Sequence, residues 1–142
     1  MTGQDAEFEQ LVSKAIDHGF RLHEAIGPGL LESAYEAFLA GSLRDEGLHV
    51  EQQLALSANY GRIRIENAFR IDLLVEGRLV VEIKSLEKLS PVHSKQLLTY
   101  LRMMNLPVGL LINFGAPLFK QGIMRIIDSR SAYGRSNGAP TP

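Results

Sequence analysis

The sequence predicts an α/β fold, a central mixed β-sheet flanked by helices. Three observations predict it. Residues Phe69–Ser85, FRIDLLVEGRLVVEIKS, alternate apolar and polar positions around Glu76-Gly77, as two paired strands do. From Ser90 to about Asn105 a helix start signal precedes apolar residues at helical spacing. Val108–Phe114, VGLLINF, is a continuous apolar run, the pattern of a strand buried on both faces. Strand, helix, strand is a crossover unit. The strand at Val108 should therefore run parallel to the one ending at Lys84, through a right-handed connection.

From the N-terminus, Asp5 to Ala25 forms an amphipathic helix. Phe8, Leu11, Val12, Ala15, Ile16, Leu22 and Ile26 recur at helical spacing, and Gly27-Pro28-Gly29 ends it. His23 is read as a packing or surface histidine. A second helix spans Leu31 to Glu46, with Gly47 as its stop. Its expected buried stripe is Leu31, Tyr35, Phe38, Leu39 and Leu43. Glu32 lies at the edge of that stripe. It either points inward toward a metal or is an ordinary first-turn glutamate favoured by the helix dipole. Leu48 to Ala58 alternates as a strand, and Ile63 and Ile65 suggest a further short piece after a turn at Tyr60-Gly61. These lead into the central hairpin as an antiparallel meander.

The register of that hairpin has chemical consequences. Opposed residues of an antiparallel pair share a face. Matching Ile71 with Ile83, Leu73 with Val81 and Val75 with Leu79 keeps the apolar residues together. Asp72 then falls opposite Glu82, with Lys84 next along the same face. The connection is a three-residue Glu76–Arg78 link or a bulge. A tight two-residue loop would put Asp72 opposite Val81, and a one-residue slip turns every side chain over. Two carboxylates and a lysine near a core are costly unless something pairs them. The plainer alternative is a solvated face with an ordinary ion pair.

After Lys84 a short loop, Ser85–Ser90, leads to Ser90 as N-cap and Pro91 as first helical residue. Leu97, Leu98, Leu101 and Met104 make the buried side of this helix. His93, Gln96 and Tyr100 run along one flank, which could equally be an ordinary polar border. Gly122 to Ile127 is the last strand. Ligands of crossover sheets gather beyond the carboxyl ends of the strands, and a helix start there favours an anion such as phosphate. Asp72, Glu82, Lys84 and this helix start could thus converge.

Length and composition bound the rest. A chain of 142 residues buries roughly 70% of its unfolded surface and needs no covalent staples. Residues 1–127 are expected to form a single domain. Residues 128–142, rich in Ser, Gly, Pro and Asn, are expected to form a flexible tail. The absence of cysteine excludes disulfides and thiolate metal sites and suits a reducing compartment. No apolar run approaches the roughly 18 residues of a membrane span, and the acidic, polar start is unlike a signal peptide. A net charge of −1 counts against tight nonspecific nucleic-acid binding. Arg62, Arg64, Arg102 and Arg125 are the few arginines expected on the surface.

These residues resemble a known family. Gly29-Leu30-Leu31-Glu32-Ser33-Ala34-Tyr35 matches the GxxExxY signature of the GxxExxY proteins. Asp72 followed by Glu82-Ile83-Lys84 resembles the D…ExK core of the PD-(D/E)XK nuclease superfamily, to which those proteins are assigned. Gln96 and Tyr100 resemble the QxxxY helix of an exonuclease branch of that superfamily. The likeness runs from Ile16 to Ile127, and the order of the motifs, with GLLINFG after them, is more specific than any one alone. Ile71 stands where the superfamily name has proline, a position not expected to bind metal.

The resemblance implies a restriction-endonuclease-like core and metal-dependent hydrolysis of nucleic acid, DNA first. It implies Asp72 and Glu82, with Glu32 as a further acidic ligand, as holders of Mg²⁺ or Mn²⁺. Lys84 would orient the attacking water, and the carbonyl of Ile83 would complete the site. Gln96 and Tyr100 would position the strand or brace the site. A cytoplasmic, membrane-free protein fits the resemblance, and a homodimer would widen a small basic surface. The alternatives are a non-catalytic nucleic-acid- or protein-binding module that keeps the fold, and an assembly unit whose acidic residues are only a solvated cluster.

Overall fold

The apolar runs assemble into one five-stranded sheet ordered β1-β2-β3-β4-β5. The computed structural model describes residues 3–130. Its elements are α1 (Gly3–Ile26), α2 (Glu32–Asp45), β1 (Val50–Tyr60), β2 (Ile63–Val75), β3 (Leu79–Lys84), α3 (Pro91–Met104), β4 (Val108–Asn113), α4 (Phe119–Gly122) and β5 (Ile123–Ile127). β3 and β4 are parallel, with Glu82 opposite Leu111 and Lys84 opposite Asn113. The other neighbouring pairs are antiparallel. This is the α/β fold with a mixed sheet that the sequence predicts, and it is consistent with a restriction-endonuclease-like core.

The sheet carries a core on each face. Phe8, Leu11, Val12 and Ala15 of α1 and Tyr35, Leu39 and Leu43 of α2 pack with Leu73, Val75, Val81, Ile83 and Leu110. On the other face Leu97 and Leu101 of α3 meet Ile71, Leu74, Val80 and Leu111. A Cβ at Gly109 would lie 3.1 Å from Leu97, so glycine in β4 lets α3 approach closely. Removing a buried leucine such as Leu101 to alanine costs about 2–5 kcal/mol.

Several expectations change. Ile63 and Ile65 belong to β2 itself, which continues through to Val75. The β1–β2 ladder absorbs the irregularity with a register shift between Leu56 and Ala58, where Asn67 takes a positive φ of 52°. Leu31 and Phe38 are not buried: they are 78% and 52% exposed. Leu31 precedes the first helical turn. Phe38 lies roughly 200° around the helix from the buried Glu36, so it faces away from the sheet. Ile26 is likewise exposed at the end of α1. The short α4 has no counterpart in the sequence reading.

His23 is a packing residue, buried, with Nε2 2.8 Å from the Ala116 carbonyl. Asp128 is buried, and its N–H donates to the Pro107 carbonyl. The remainder of the expected tail, 131–142, lies outside the described residues. Among the described residues no helix is long and apolar enough to cross a membrane.

Candidate active site

The β2–β3 hairpin has the register that the apolar pattern favours. Val75 faces Leu79, Leu74 faces Val80 and Leu73 faces Val81, joined by the three-residue link Glu76–Arg78. Regular pairing then stops at Asp72. From there side chains replace the ladder. The N–H of Ile83 donates to Asp72 Oδ2 at 2.8 Å, and the N–H of Asp72 donates to Glu82 Oε1 at 3.0 Å. Each carboxylate therefore satisfies a backbone donor of the opposite strand, and the two are held side by side.

The break also turns β2 over. Strict alternation would keep Ile71 with Leu73 and Ile83. Instead Ile83 packs in the core under α1 and α2, and Ile71 packs under α3. Across the sheet, Gln53 of β1 sits between paired neighbours with a positive φ of 49°, a conformation that costs a non-glycine residue energy. That bend brings the Gln53 amide to Asp72. Its Nε2 donates to Asp72 Oδ1 at 3.0 Å and also to Glu36 Oε1. Glu36, buried on α2, accepts a second amide from Gln52 at 3.1 Å.

Glu82 is 7% exposed. Burial, and then the negative charge of Asp72, push its carboxyl up to about 8. Lys84, half-buried at the end of β3, acts against that shift through its positive charge. Glu32 opens α2, exposed and on the rim of a cleft of ≈ 310 Å³ that it shares with Ser33, Glu36, Gln53 and Asp72. Its carboxyl is also raised, first by burial; Lys84 lowers it and Asp72 raises it. Glu32 and Lys84 thus belong to one electrostatic neighbourhood with the carboxylate pair.

Tyr100 reaches the same place from α3. Its ring stacks on Phe69 at 4.8 Å. Its hydroxyl is pushed up by burial and then by the charges of Glu82 and Asp72. Gln96, one turn earlier, is exposed and, among the described residues, takes no part in the hydrogen bonds of the carboxylates. His93 closes the start of α3: the Ser90 N–H donates to its Nδ1 at 3.1 Å, while Ser90 Oγ accepts from Val92.

Two supports are structural. Tyr35, the last residue of GxxExxY, stacks on Phe114 at 4.5 Å. Its hydroxyl donates to the Gly27 carbonyl and accepts from the Leu30 N–H, which fixes the approach to Glu32. Asn113, 2% exposed, holds the loop after Lys84. Its Oδ1 accepts from the N–H of Leu86 and of Gly115, and its Nδ2 donates to the Leu86 carbonyl. A Cβ at Gly115 would come within 2.2 Å of the Leu86 oxygen, so only glycine fits. Gln53, Glu36 and Asn113 were not singled out in the sequence. The one signal for Glu36 is its place one helical turn after Glu32.

Among the described residues no three His, Asp or Glu side chains converge tightly enough to hold a metal ion unaided. The donor chemistry nonetheless fits one. Adjacent carboxylates, one buried and reluctant to ionise, favour a hard divalent cation whose remaining ligands are water and phosphate.

The model of the PD-(D/E)XK nuclease superfamily matches residues 9–126. No curated protein and no solved structure matches the chain. The family match spans α1 to β5, and with it the hairpin that sets Asp72 beside Glu82: the chain belongs to the PD-(D/E)XK nuclease superfamily.

Proposed function

We propose that this protein is a metal-dependent hydrolase that cleaves phosphodiester bonds of nucleic acid, DNA in the first place, as a GxxExxY-type member of its superfamily. One observation carries the reading. Asp72 and Glu82 are locked side by side by reciprocal bonds to each other's strand, and the buried Glu82 resists ionisation beside a second carboxylate. A pair so arranged is costly without a cation.

Asp72 and Glu82 would hold Mg²⁺ or Mn²⁺, with Glu32 as the further acidic ligand across the cleft. The bound ion supplies an acidified water and offsets charge on the phosphoryl oxygens. Lys84 supplies a fixed positive charge beside the carboxylates, orients the water and opposes the negative charge that develops on the scissile phosphate. Gln53 fixes the rotation of the Asp72 carboxylate through one oxygen. Tyr100 walls the α3 side, and Gln96, exposed one turn earlier, is placed to meet the strand. All of these residues come from one chain, so a homodimer would widen the binding surface without completing the site. The cytoplasm is the compartment this reading assigns.

A second reading has its own observation. Both oxygens of Asp72 already accept hydrogen bonds, as in a binding module that keeps the fold without the chemistry. Titration with Mn²⁺ by calorimetry, with cleavage of linear DNA in Mg²⁺, separates them. The nuclease reading expects both to occur in the wild type and to be lost in Asp72→Ala/Glu82→Ala. No Mn²⁺ binding by the wild type, with no cleavage of single- or double-stranded DNA or RNA, supports the binding module.

A further inference from the structure

The β1–β2 hairpin runs well beyond the rest of the sheet. Continuing the β2–β3 register puts the end of β3, Lys84, level with Arg70. β2 starts seven residues earlier, at Ile63, so the ribbon projects roughly 20 Å past the end of β3. It projects at the carboxyl end of β3, the end where the candidate site opens. Every residue from Tyr60 to Ala68 is exposed, so among the described residues the arm is supported only by its own pairing. Its root is tied to the site: Phe69 stacks on Tyr100. The register shift beside Asn67 sets the angle at which it leaves, as bulges commonly do.

The arm's charge differs from that of the chain. The protein as a whole is −1, but the stretch Tyr60–Arg70 carries Arg62, Arg64 and Arg70 against Glu66 alone. Arg64 pairs with Glu66 at 2.7 Å, with both side chains more than half exposed; such a pair is weak and open to exchange. Arg62 and Arg70 make no ion pair among the described residues. The ribbon also has two unlike faces. Ala58 with Ile65 and Tyr60 with Ile63 form one; Asn59 with Arg64 form the other. A two-stranded ribbon fits the DNA major groove, about 12 Å wide.

We infer that the β1–β2 arm is a nucleic-acid clamp: Arg62 and Arg64 neutralise backbone phosphates of a duplex whose scissile bond lies at the Asp72–Glu82 pair. The inference rests on the nuclease reading and extends it to the way a chain of net negative charge captures its substrate. The phosphates exchange for Glu66 on Arg64, and the apolar face with Tyr60 lies against sugars and base edges.

The test uses the full chain and a fluorescein-labelled DNA duplex of about 30 base pairs, roughly three helical turns. Anisotropy is followed in EDTA from low to high salt. In Arg62→Gln/Arg64→Gln the slope of log K against log salt should become shallower by roughly 2, with an affinity loss on the order of tenfold. Arg62→Lys/Arg64→Lys should restore the slope, and Mn²⁺ affinity should be unchanged throughout. An unchanged slope in the glutamine variant, with Mg²⁺-dependent cleavage by the wild type, overturns the clamp and leaves the nuclease reading standing. A wild type that neither binds nor cleaves overturns both. If Tyr60→Ser/Ile63→Ser lowers the sedimentation mass while Arg62→Gln/Arg64→Gln leaves the salt slope unchanged, the arm is a self-association surface and the clamp is overturned.

Discussion

At one edge of the sheet Glu9 of α1 meets Arg125 of β5; at its middle Glu82 of β3 meets Asp72 of β2. Both glutamates are fixed by hydrogen bonds, and their electrostatics are opposite. Arg125 grips Glu9 with two guanidinium nitrogens, which lowers the carboxyl below its ordinary value. Burial and a like charge raise Glu82 to about 8. The first site is complete within the chain. The second is satisfied at its backbone but not in its charge, and it lies where the cleft opens. Chemistry is therefore sought where the fold tolerates a cost that it avoids elsewhere.

The largest expected effect breaks the second site outright. Asp72→Asn keeps an acceptor for the Ile83 N–H but removes one negative charge. Cleavage of DNA in Mg²⁺ should fall by roughly 10²–10⁴-fold, and Lys84→Ala should fall in the same range. Far-ultraviolet circular dichroism should stay unchanged. Full activity in either variant would assign these residues to the ordinary kind of site that Glu9 represents.

Next comes the cost itself, measured in EDTA by urea unfolding across pH. The folded protein holds the Glu82 proton more tightly than the unfolded chain does. That contribution is fully present below the unfolded value near 4.5 and is lost as pH rises to about 8. Wild-type stability should therefore fall relative to Glu82→Gln across this window. The difference should reach the order of a few kcal/mol above it. Mn²⁺ should reverse the trend for the wild type alone. A flat difference between the two proteins would show that Glu82 ionises freely.

A smaller effect is expected at Gln53. In Gln53→Gly the positive φ becomes unstrained while the amide that holds Asp72 and Glu36 is lost. Mn²⁺ affinity should drop about 10- to 100-fold, with the thermal midpoint little changed. A residue that served the fold alone would show the reverse pattern.

Much of this arrangement was legible in the sequence. The apolar alternation around Glu76-Gly77 was enough to place Asp72 next to Glu82, because only one register buries Leu73, Val75, Leu79 and Val81 together. Ser90-Pro91 marked the start of α3, and the crossover made β4 parallel to β3. What stayed hidden depends on contacts distant in the chain. The turn-over at Ile71 accompanies the side-chain bonds of Asp72 and Glu82 that replace the β2–β3 ladder. Asn113 acquires its role only when the Leu86 backbone lies against Gly115. The exposure of Phe38 is decided by which side of α2 the sheet takes. Local periodicity carries none of this.

The smallest effect belongs to the first site and tests the other half of the comparison. Glu9 is lowered chiefly by its bonds to Arg125. Its contribution is present above the unfolded value near 4.5 and is lost as pH falls through the lower folded value, the opposite sense to Glu82. The pair is about two-thirds shielded, with side chains 30% and 32% exposed, and solvent still screens it. Glu9→Gln should therefore cost only about 0.2–1 kcal/mol at pH 7, with the deficit vanishing as pH falls through the lowered folded value and shrinking in high salt. Urea midpoints of the two proteins across acid pH would show it. If the deficit persisted at low pH, Glu9 would be acting through packing, and the contrast between a lowered and a raised carboxyl would rest on Glu82 alone.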